Sequence, residues 1–553
     1  LGDVYKRQPF INVLLKGTTI GTTTDNSGHY FLKNLPEGNF MMEVSSVGYK
    51  TVTRSVTLKK GKTLEENFEL EEDAIALDGV VVSANRSETT RRLAPTLVNV
   101  VDLKLFETTN SSTLSQGLNF QPGVRVETNC QNCGFQQVRI NGLDGPYTQI
   151  LIDSRPVFSA LSGVYGLEQI PASMIERVEV MRGGGSALFG SSAIAGTINI
   201  ITKEPLRNSG QLSHTITSIG GSSAFDNNTS LNASLVTDDH RAGLYIFGQN
   251  RHRSGYDYDG DGFTELPKLK NQTVGFRSYL KTSTYSKLTF EYHHMQEFRR
   301  GGDMLDRPPH EAHIAEQLQH SIDGGSLKYD YFSPNEKNRL SVFASAANTD
   351  RDSYYGPGND PLKAYGKTTD LTAMGGVQYV HTFDKCLFMP SDLTAGLEYN
   401  RDRLKDNMWG YDRHTDQTVK VYSAFLQNEW KNKHWGILIG GRLDKHNMVD
   451  DVIFSPRANL RFNPTDNINL RLSYSSGFRA PQAFDEDMHI ENVGGTVAMI
   501  ERAKDLKEEK SQSFSASADM YHRFGAFQTN LLVEGFYTCL LYTSPSPRDM
   551  RRS

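Results

Sequence analysis

The chain has 553 residues, room for more than one domain, and a net charge of −5 that offers nucleic acid no basic excess. No stretch approaches the roughly 18 apolar residues of a membrane helix. That excludes a helical membrane protein but not a barrel, whose strands need only about ten residues of alternating character. Forty-eight glycines, 28 phenylalanines and 24 tyrosines suit many short strands, and four cysteines are too few for a disulfide scaffold.

The two ends stand apart. Residues 1–8 and 539–553 share no periodicity with what adjoins them and resemble translated sequencing-adaptor read-through, so both are left out of the fold reading and the missing leader says nothing about location. Residues 9–70 alternate short apolar runs with turn residues. Ile11-Asn12-Val13-Leu14 is followed by the turn Asp25-Asn26-Ser27-Gly28, then Tyr30-Phe31-Leu32, the turn Leu35-Pro36-Glu37-Gly38, and Met42-Glu43-Val44. This spacing predicts a small β-sandwich. The stretch resembles the carboxypeptidase-regulatory-like domain that precedes many Bacteroidetes receptors, which implies an accessory domain without peptidase residues.

Residues 71–100 read as a linker, acidic at Glu71-Glu72-Asp73, then Leu77-Asp78-Gly79-Val80-Val81-Val82-Ser83-Ala84. A β-branched run in a polar segment is a strand awaiting a partner edge. It looks like a TonB box, which pairs by strand addition with the periplasmic energiser. Its position favours that reading over the first strand of the next domain.

Residues 101–204 mix strands with short helices. Asn110-Ser111-Ser112-Thr113 is expected to cap a helix through Leu118, and Pro171 to open one through Met174 ahead of strand 177–180. From Ile175 the chain reads IERVEVMRGGGSALFG and continues AIAGTINIITK from Ala193, with VRING at 138–142 and IDSRP at 152–156 upstream. This ordered set resembles the plug signature of TonB-dependent outer-membrane receptors. Glycines such as Gly183, Gly190 and Gly196 let backbone turn where side chains clash. The resemblance implies that Arg177, Glu179 and Arg182 are buried charges holding the plug against a barrel wall.

From about residue 205 to 538 the period becomes two. Ile468, Leu470, Leu472 and Tyr474 face one way and Asn469, Arg471 and Ser473 the other; Leu393 to Asn400 and Leu288 to His293 repeat the pattern. Apolar residues are expected toward lipid and polar ones toward the lumen. Polar stretches 251–272, 296–320 and 349–371 read as long loops on one side, against tight turns such as Ser333-Pro334-Asn335 on the other. Roughly fifteen strand segments precede Thr538, fewer than the 22 of plugged transporter barrels, so an incomplete wall around a formed plug is expected, with a native frame that begins earlier and continues past Thr538. The predicted fold is therefore mainly β: a sandwich, an α+β plug and a transmembrane antiparallel barrel truncated at its C-terminus.

The sequence carries no G-x-S-x-G elbow, Walker loop or H-E-x-x-H, so no enzyme is expected. Asp257, Asp259, Asp261 and Glu265 alternate around glycines in the manner of a hard-cation loop, though Lys268 stands where an EF-hand needs its bidentate Glu. Calcium in this outer loop is the one cofactor expected; none is required. Cys130 and Cys133 form a C-x-x-C pair, open to a local disulfide, a soft-metal site or two idle thiols. His310, His313 and His320 share a polar stretch with Glu311, Glu316 and Met304 and are candidates to touch an iron, haem or copper ligand.

The resemblance implies active import across the outer membrane of a scarce nutrient, a ferric siderophore, haem, cobalamin or copper complex. The expected partners are TonB with ExbB and ExbD, outer-membrane lipid and a surface lipoprotein; no nucleic acid is expected. The rival class is a passive or adhesive outer-membrane binding protein.

Overall fold

The computed structural model describes residues 11–541, apart from 26, 34, 47–48, 72–78, 131–133, 157–167, 169, 192, 358–363, 484–489, 494–495, 499–506 and 526. Strands β1 (Asn12–Leu15), β2 (Gly21–Thr23), β3 (Gly38–Ser45) and β4 (Val52–Leu58) form an antiparallel sheet in the order β2-β1-β3-β4. Alternation puts Val13, Leu15, Met42, Val44, Val56 and Leu58 on one buried face. Tyr30, Leu32, Leu35, Phe68 and Leu70 cover that face from segments without strand, so the sandwich's second layer is irregular chain. The unit docks on the barrel through Thr19, whose N–H donates to the Thr284 carbonyl at 2.9 Å.

The linker forms a short hairpin, β5 (Val80–Val81) on β6 (Thr89–Thr90), before β7 (Val98–Asp102). Helix α1 (Leu103–Thr108) is capped by Asp102, which accepts from the Leu105 N–H at 2.9 Å. Helix α2 (Leu114–Leu118) has Thr113 at its N-cap without a side-chain cap bond. Gln116 reaches back instead and accepts the Ser112 N–H at 2.7 Å. After the ribbon β8 (Val124–Cys130) and β9 (Phe135–Ile140) come β10 (Thr148–Ile152), β11 (Arg155–Pro156), β12 (Ile175–Arg182), helix α3 (Ser186–Phe189) and β13 (Gly196–Thr202). The helix expected from Pro171 is only a 3-10 turn, Ala172–Met174, because β12 begins at Ile175. The plug sheet runs β11-β10-β13-β12-β7, with β10 and β13 parallel. Val178, Val180, Ile198 and Ile200 pack on Phe106, Leu114 and Leu118 to make its core.

A single antiparallel sheet of 15 strands then follows. Its members are β14 (Ser209–Ser218), β15 (Phe225–Val236), β16 (Ala242–Arg253), β17 (Lys268–Ser283), β18 (Ser286–Gly302), β19 (Ile314–Phe332) and β20 (Asn338–Pro357). Next come β21 (Tyr365–Cys386), β22 (Met389–Met408), β23 (Arg413–Lys431), β24 (Trp435–His446), β25 (Ile453–Thr465) and β26 (Ile468–Arg479). After the small hairpin β27 (Glu491–Val493) and β28 (Thr496–Ala498), β29 (Glu509–Phe524) and β30 (Phe527–Leu541) complete it. Each strand pairs with the next, and the edge strands β14 and β30 are not paired with one another.

The sheet is inside-out by soluble standards. Leu212 is 72% and Leu397 66% exposed on the outer face, while Glu398, beside Leu397, is only 6% exposed on the inner one. Thr289, Thr394, Asn469 and Arg471 are likewise buried, so polar groups do face the lumen and apolar groups the outside. No helix among the described residues is long and apolar enough to cross a membrane. The outer loops are shorter than the polarity of the sequence predicts: 251–272 shrinks to 254–267, and 296–320 to 303–313. The reason is the lumen itself. Arg251, Arg299, Glu316 and His320 are inward-facing strand positions, and a polar lumen makes a strand read like a loop.

Candidate functional site

The site grows from one buried carboxylate. Glu179 lies in β12, in the middle of the plug, and is fully buried. Its Oε2 accepts the Val82 N–H at 2.9 Å, the Ser83 N–H at 2.9 Å and the Ser83 hydroxyl at 2.7 Å. Its Oε1 is held by Arg177 at 2.9 Å. Asn199 of β13 adds a hydrogen bond to the Ser83 hydroxyl at 3.0 Å. Val81 and Ala84 meanwhile pack with Leu151, Met181, Leu188 and Phe189. The linker is thus fastened to the adjacent plug strands β12 and β13 by both polar and apolar contacts.

The barrel wall grips the same linker through its carbonyls. Arg457 donates to Ala84 O at 3.0 Å, Gln427 to Asn85 O at 2.9 Å and Gln378 to Arg86 O at 3.0 Å. Arg471 donates to Ala94 O at 3.1 Å. Asn85 reaches out to Glu429 at 2.6 Å. Arg86 pairs with Glu398, which also takes Arg442 at 2.7 Å, and its guanidinium sits between the rings of Phe189 and Phe425 at 4.9 and 4.8 Å. Burial pulls the Arg86 pKa below its ordinary value, and the Glu398 carboxylate opposes that pull.

On the opposite side of the plug, Asp153 pairs with Arg277 of β17, and Glu204 with Lys287 of β18 at 2.9 Å. Burial alone would raise the Asp153 pKa, but Arg277 and the Thr202 hydrogen bonds bring it below the usual carboxylate value. Lys287 is the main cause that lowers Glu204 to about 2. At the long-loop end Glu168 meets three buried guanidiniums, Arg253 at 3.1 Å, Arg251 at 3.5 Å and Arg299 at 2.8 Å. Burial would push the Glu168 carboxyl up, yet these three cations outweigh it and hold it well below the carboxylate range.

Residues 197–539 match the family model described as "TonB dependent receptor-like, beta-barrel". The chain belongs to the TonB-dependent receptor family. Residues 90–197 match the TonB-dependent receptor plug domain, and residues 2–82 the CarboxypepD_reg-like domain. The chain is 24% identical to the vitamin B12 transporter BtuB of Vibrio vulnificus (strain CMCP6), covering 74% of this chain and 64% of that one. It is 23% identical to the ferric enterobactin receptor of Pseudomonas aeruginosa, covering 73% and 61%. It therefore spans less than two thirds of the length of these curated relatives. The fold is shared with the siderophore receptor PirA of Acinetobacter baumannii, with a TM-score of 0.65 and 18% identity over 82% of this chain and 78% of that one. The ferric enterobactin receptor PfeA of Pseudomonas aeruginosa gives a TM-score of 0.66 at 18% identity, over 81% and 71%.

Within this receptor the sequence-singled residues separate. Of the expected TonB box, Leu77 and Asp78 lie outside the described residues, and Val80 to Ala84 are folded against the plug. Of the three signature charges expected at the wall, only Arg182 reaches it, pairing with Glu534 of β30 at 2.5 Å. Arg177 and Glu179 serve the linker instead, whereas Arg182 is the last residue of β12, where the strand leaves the plug sheet. Gly196 is explained directly: φ is +156° there, and a Cβ would stand 2.3 Å from the Met181 carbonyl. Gly190 ends α3 at φ +83°, and Gly183 takes φ +84° just after β12.

Asp257, Asp259 and Glu265 bring one carboxylate oxygen each within 4.8 Å of the others. Much of their capacity is spent on the loop: Asp257 accepts the Gly260 N–H at 2.7 Å and the Gly262 N–H at 2.8 Å, and Asp261 the Phe263 N–H at 2.8 Å. The histidines do not converge. His310 bonds the Tyr365 hydroxyl at 2.8 Å and His313 bonds Asp303 at 2.6 Å, while His320 is not in the loop at all but buried in β19 facing Glu297. Cys133 lies outside the described residues; the Cys130 thiol donates to Glu316 at 3.3 Å. The contacts that sequence reasoning missed, Arg86 with Glu398 and Glu168 with its three arginines, join residues far apart in the chain and carry no local signal.

Proposed function

We propose that this receptor imports a scarce, metal-bearing nutrient across the outer membrane, with the energy delivered by TonB, ExbB and ExbD through residues 77–84. The observation that carries this reading is the Glu179 clasp. The partner-pairing segment is fastened to the adjacent plug strands β12 and β13 by a few hydrogen bonds, so tension on it is delivered to the plug's core. Release of the clasp frees the β-branched run for strand addition, and continued tension remodels the plug. Force comes from outside because this membrane holds neither ATP nor a useful ion gradient. The vitamin B12 and ferric enterobactin relatives support a metal complex as cargo, and the buried arginines of the outer lumen suit an anionic one. In this reading the Asp257 turn is the place for a calcium ion and the outer loops the seat of a surface lipoprotein. The test is deletion of Leu77 to Ala84: uptake is abolished while ligand binding at the cell surface persists. Normal uptake by that variant would return the protein to the passive or adhesive class.

A further inference from the structure

The outer face of the wall carries a pattern that neither the plug nor the lumen uses. On β22 the outward positions run Leu397, Tyr399, Arg401, Arg403 toward the end that bears the long loops. Strand β23 repeats the order with Leu426, Tyr422 and Lys420, and β24 with Ile439, Leu443 and Lys445. Leu397, Leu426, Ile439 and Leu443 are exposed apolar residues that suit acyl chains. The rings of Tyr399 and Tyr422 come next, with centroids 4.9 Å apart, as in the aromatic girdle at the edge of the hydrocarbon. The cations stand directly beyond that edge, at headgroup level, since charge on the lipid face is unfavourable any deeper.

These cations are also unanswered. Arg401 and Lys420 stand directly opposite one another in the β22–β23 register, and like charges so placed are destabilising. Arg401, Arg403 and Lys420 are exposed, and among the described residues their side chains make no ion pair or hydrogen bond. Lys445 donates to the Val449 and Asp450 carbonyls and meets no carboxylate there. Asp416 on the same face answers Lys405, at 3.8 Å. At the opposite, tight-turn end of the wall the exposed lysines are matched: Lys337 pairs with Asp384 at 2.5 Å and Lys433 with Asp466 at 3.2 Å.

We propose that Arg401, Arg403, Lys420 and Lys445 hold the phosphate of a membrane lipid whose acyl chains lie over Tyr399, Leu397 and Leu443. A phosphate monoester brings about −1.5 to −2 charge and three acceptor oxygens at neutral pH, enough to neutralise the facing Arg401 and Lys420 together. The planar donor fork of each arginine matches two of those oxygens. The lipid that fits is therefore one with a phosphomonoester head, not a zwitterionic one. The site requires the wall to stand in a membrane and is independent of what the receptor imports.

The experiment is native mass spectrometry of the purified full chain in detergent. Dioleoyl phosphatidate is the probe, dioleoylglycerol its uncharged counterpart and excess inorganic phosphate the competitor. A saturable adduct is expected with phosphatidate and not with dioleoylglycerol, and it should survive the competitor because the acyl chains share in the binding. Arg401→Gln combined with Lys420→Gln should weaken the adduct at least tenfold. Lys337→Gln combined with Lys433→Gln removes the same charge at the tight-turn end and should leave it unchanged. Far-UV circular dichroism reads the folding of both variants. Displacement by inorganic phosphate would mark a free-anion site and overturn the lipid assignment. No saturable adduct, equal binding of dioleoylglycerol, or equal weakening in the two double variants would each overturn it as well. Uptake independent of TonB would sink the import reading while leaving the phosphatidate result standing.

Discussion

Replacing Glu179 by Ala should release the linker without unfolding the barrel. The wild-type carboxylate accepts donors from Val82 and Ser83 at 2.7 to 2.9 Å and is closed on its other oxygen by Arg177. Hydrogen bonds to a charged group contribute about 1.5–3 kcal/mol each, and removing one partner of a buried charged pair costs about 3–5 kcal/mol because the other is stranded. Part of that loss falls on Arg177, which keeps Glu176. Assigning about 3 kcal/mol to the linker predicts a roughly 150-fold rise in its undocked population. Burial of Val81 opposes complete release with about 1.5–3 kcal/mol. Glu179→Gln keeps an acceptor and should raise the population only about tenfold. Hydrogen exchange followed by mass spectrometry reads this directly: peptides over 79–86 should lose protection in the order Gln, then Ala, while peptides over β22 stay unchanged. Equal protection of 79–86 in wild type and Glu179→Ala would refute the clasp.

Glu398→Ala should loosen the plug more than Arg86→Ala, because it strands Arg86 and also takes from Arg442 one of its two carboxylates, at a cost of about 3–5 kcal/mol; the measurement is urea-dependent conductance in planar bilayers, with pores opening at lower urea for Glu398→Ala. Glu204 is depressed from the ordinary 4.5 to about 2, so its contribution is full above pH 4.5 and is lost as pH falls through about 2; Glu168 behaves in the same direction. Limited proteolysis with pepsin should therefore leave the plug intact at pH 4 and cut it near pH 2. Calcium should slow exchange in 254–267 relative to chelator, and Asp259→Asn should remove the difference; identical exchange in both conditions marks the Asp257 turn as an ordinary turn.

The strands were legible because a two-residue period with one apolar face survives in the sequence whatever the neighbours, and Leu397 beside Glu398 shows it at full contrast. The same rule misplaced His320 and Arg299 into loops, since polarity is the mark of both a loop and a lumen-facing strand position. The plug signature singled out Arg177 and Glu179 as charges facing the wall; Glu179 is buried and Arg177 half-buried, and both turn to the linker. Ser83 is 96 residues away from Glu179, and nothing in either stretch encodes the pairing. Arg86 is the sharper case: 312 residues separate it from Glu398, and its exposure to the wall follows from where the linker turns at φ +60°.

The central claim is that cargo crosses only when the linker is pulled. Uptake of radiolabelled cyanocobalamin and of ferric enterobactin by cells expressing this receptor, in otherwise identical strains with and without TonB, tests it most directly. At least one of the two should be accumulated with TonB present and only surface-bound without it. Equal accumulation in both strains would contradict it.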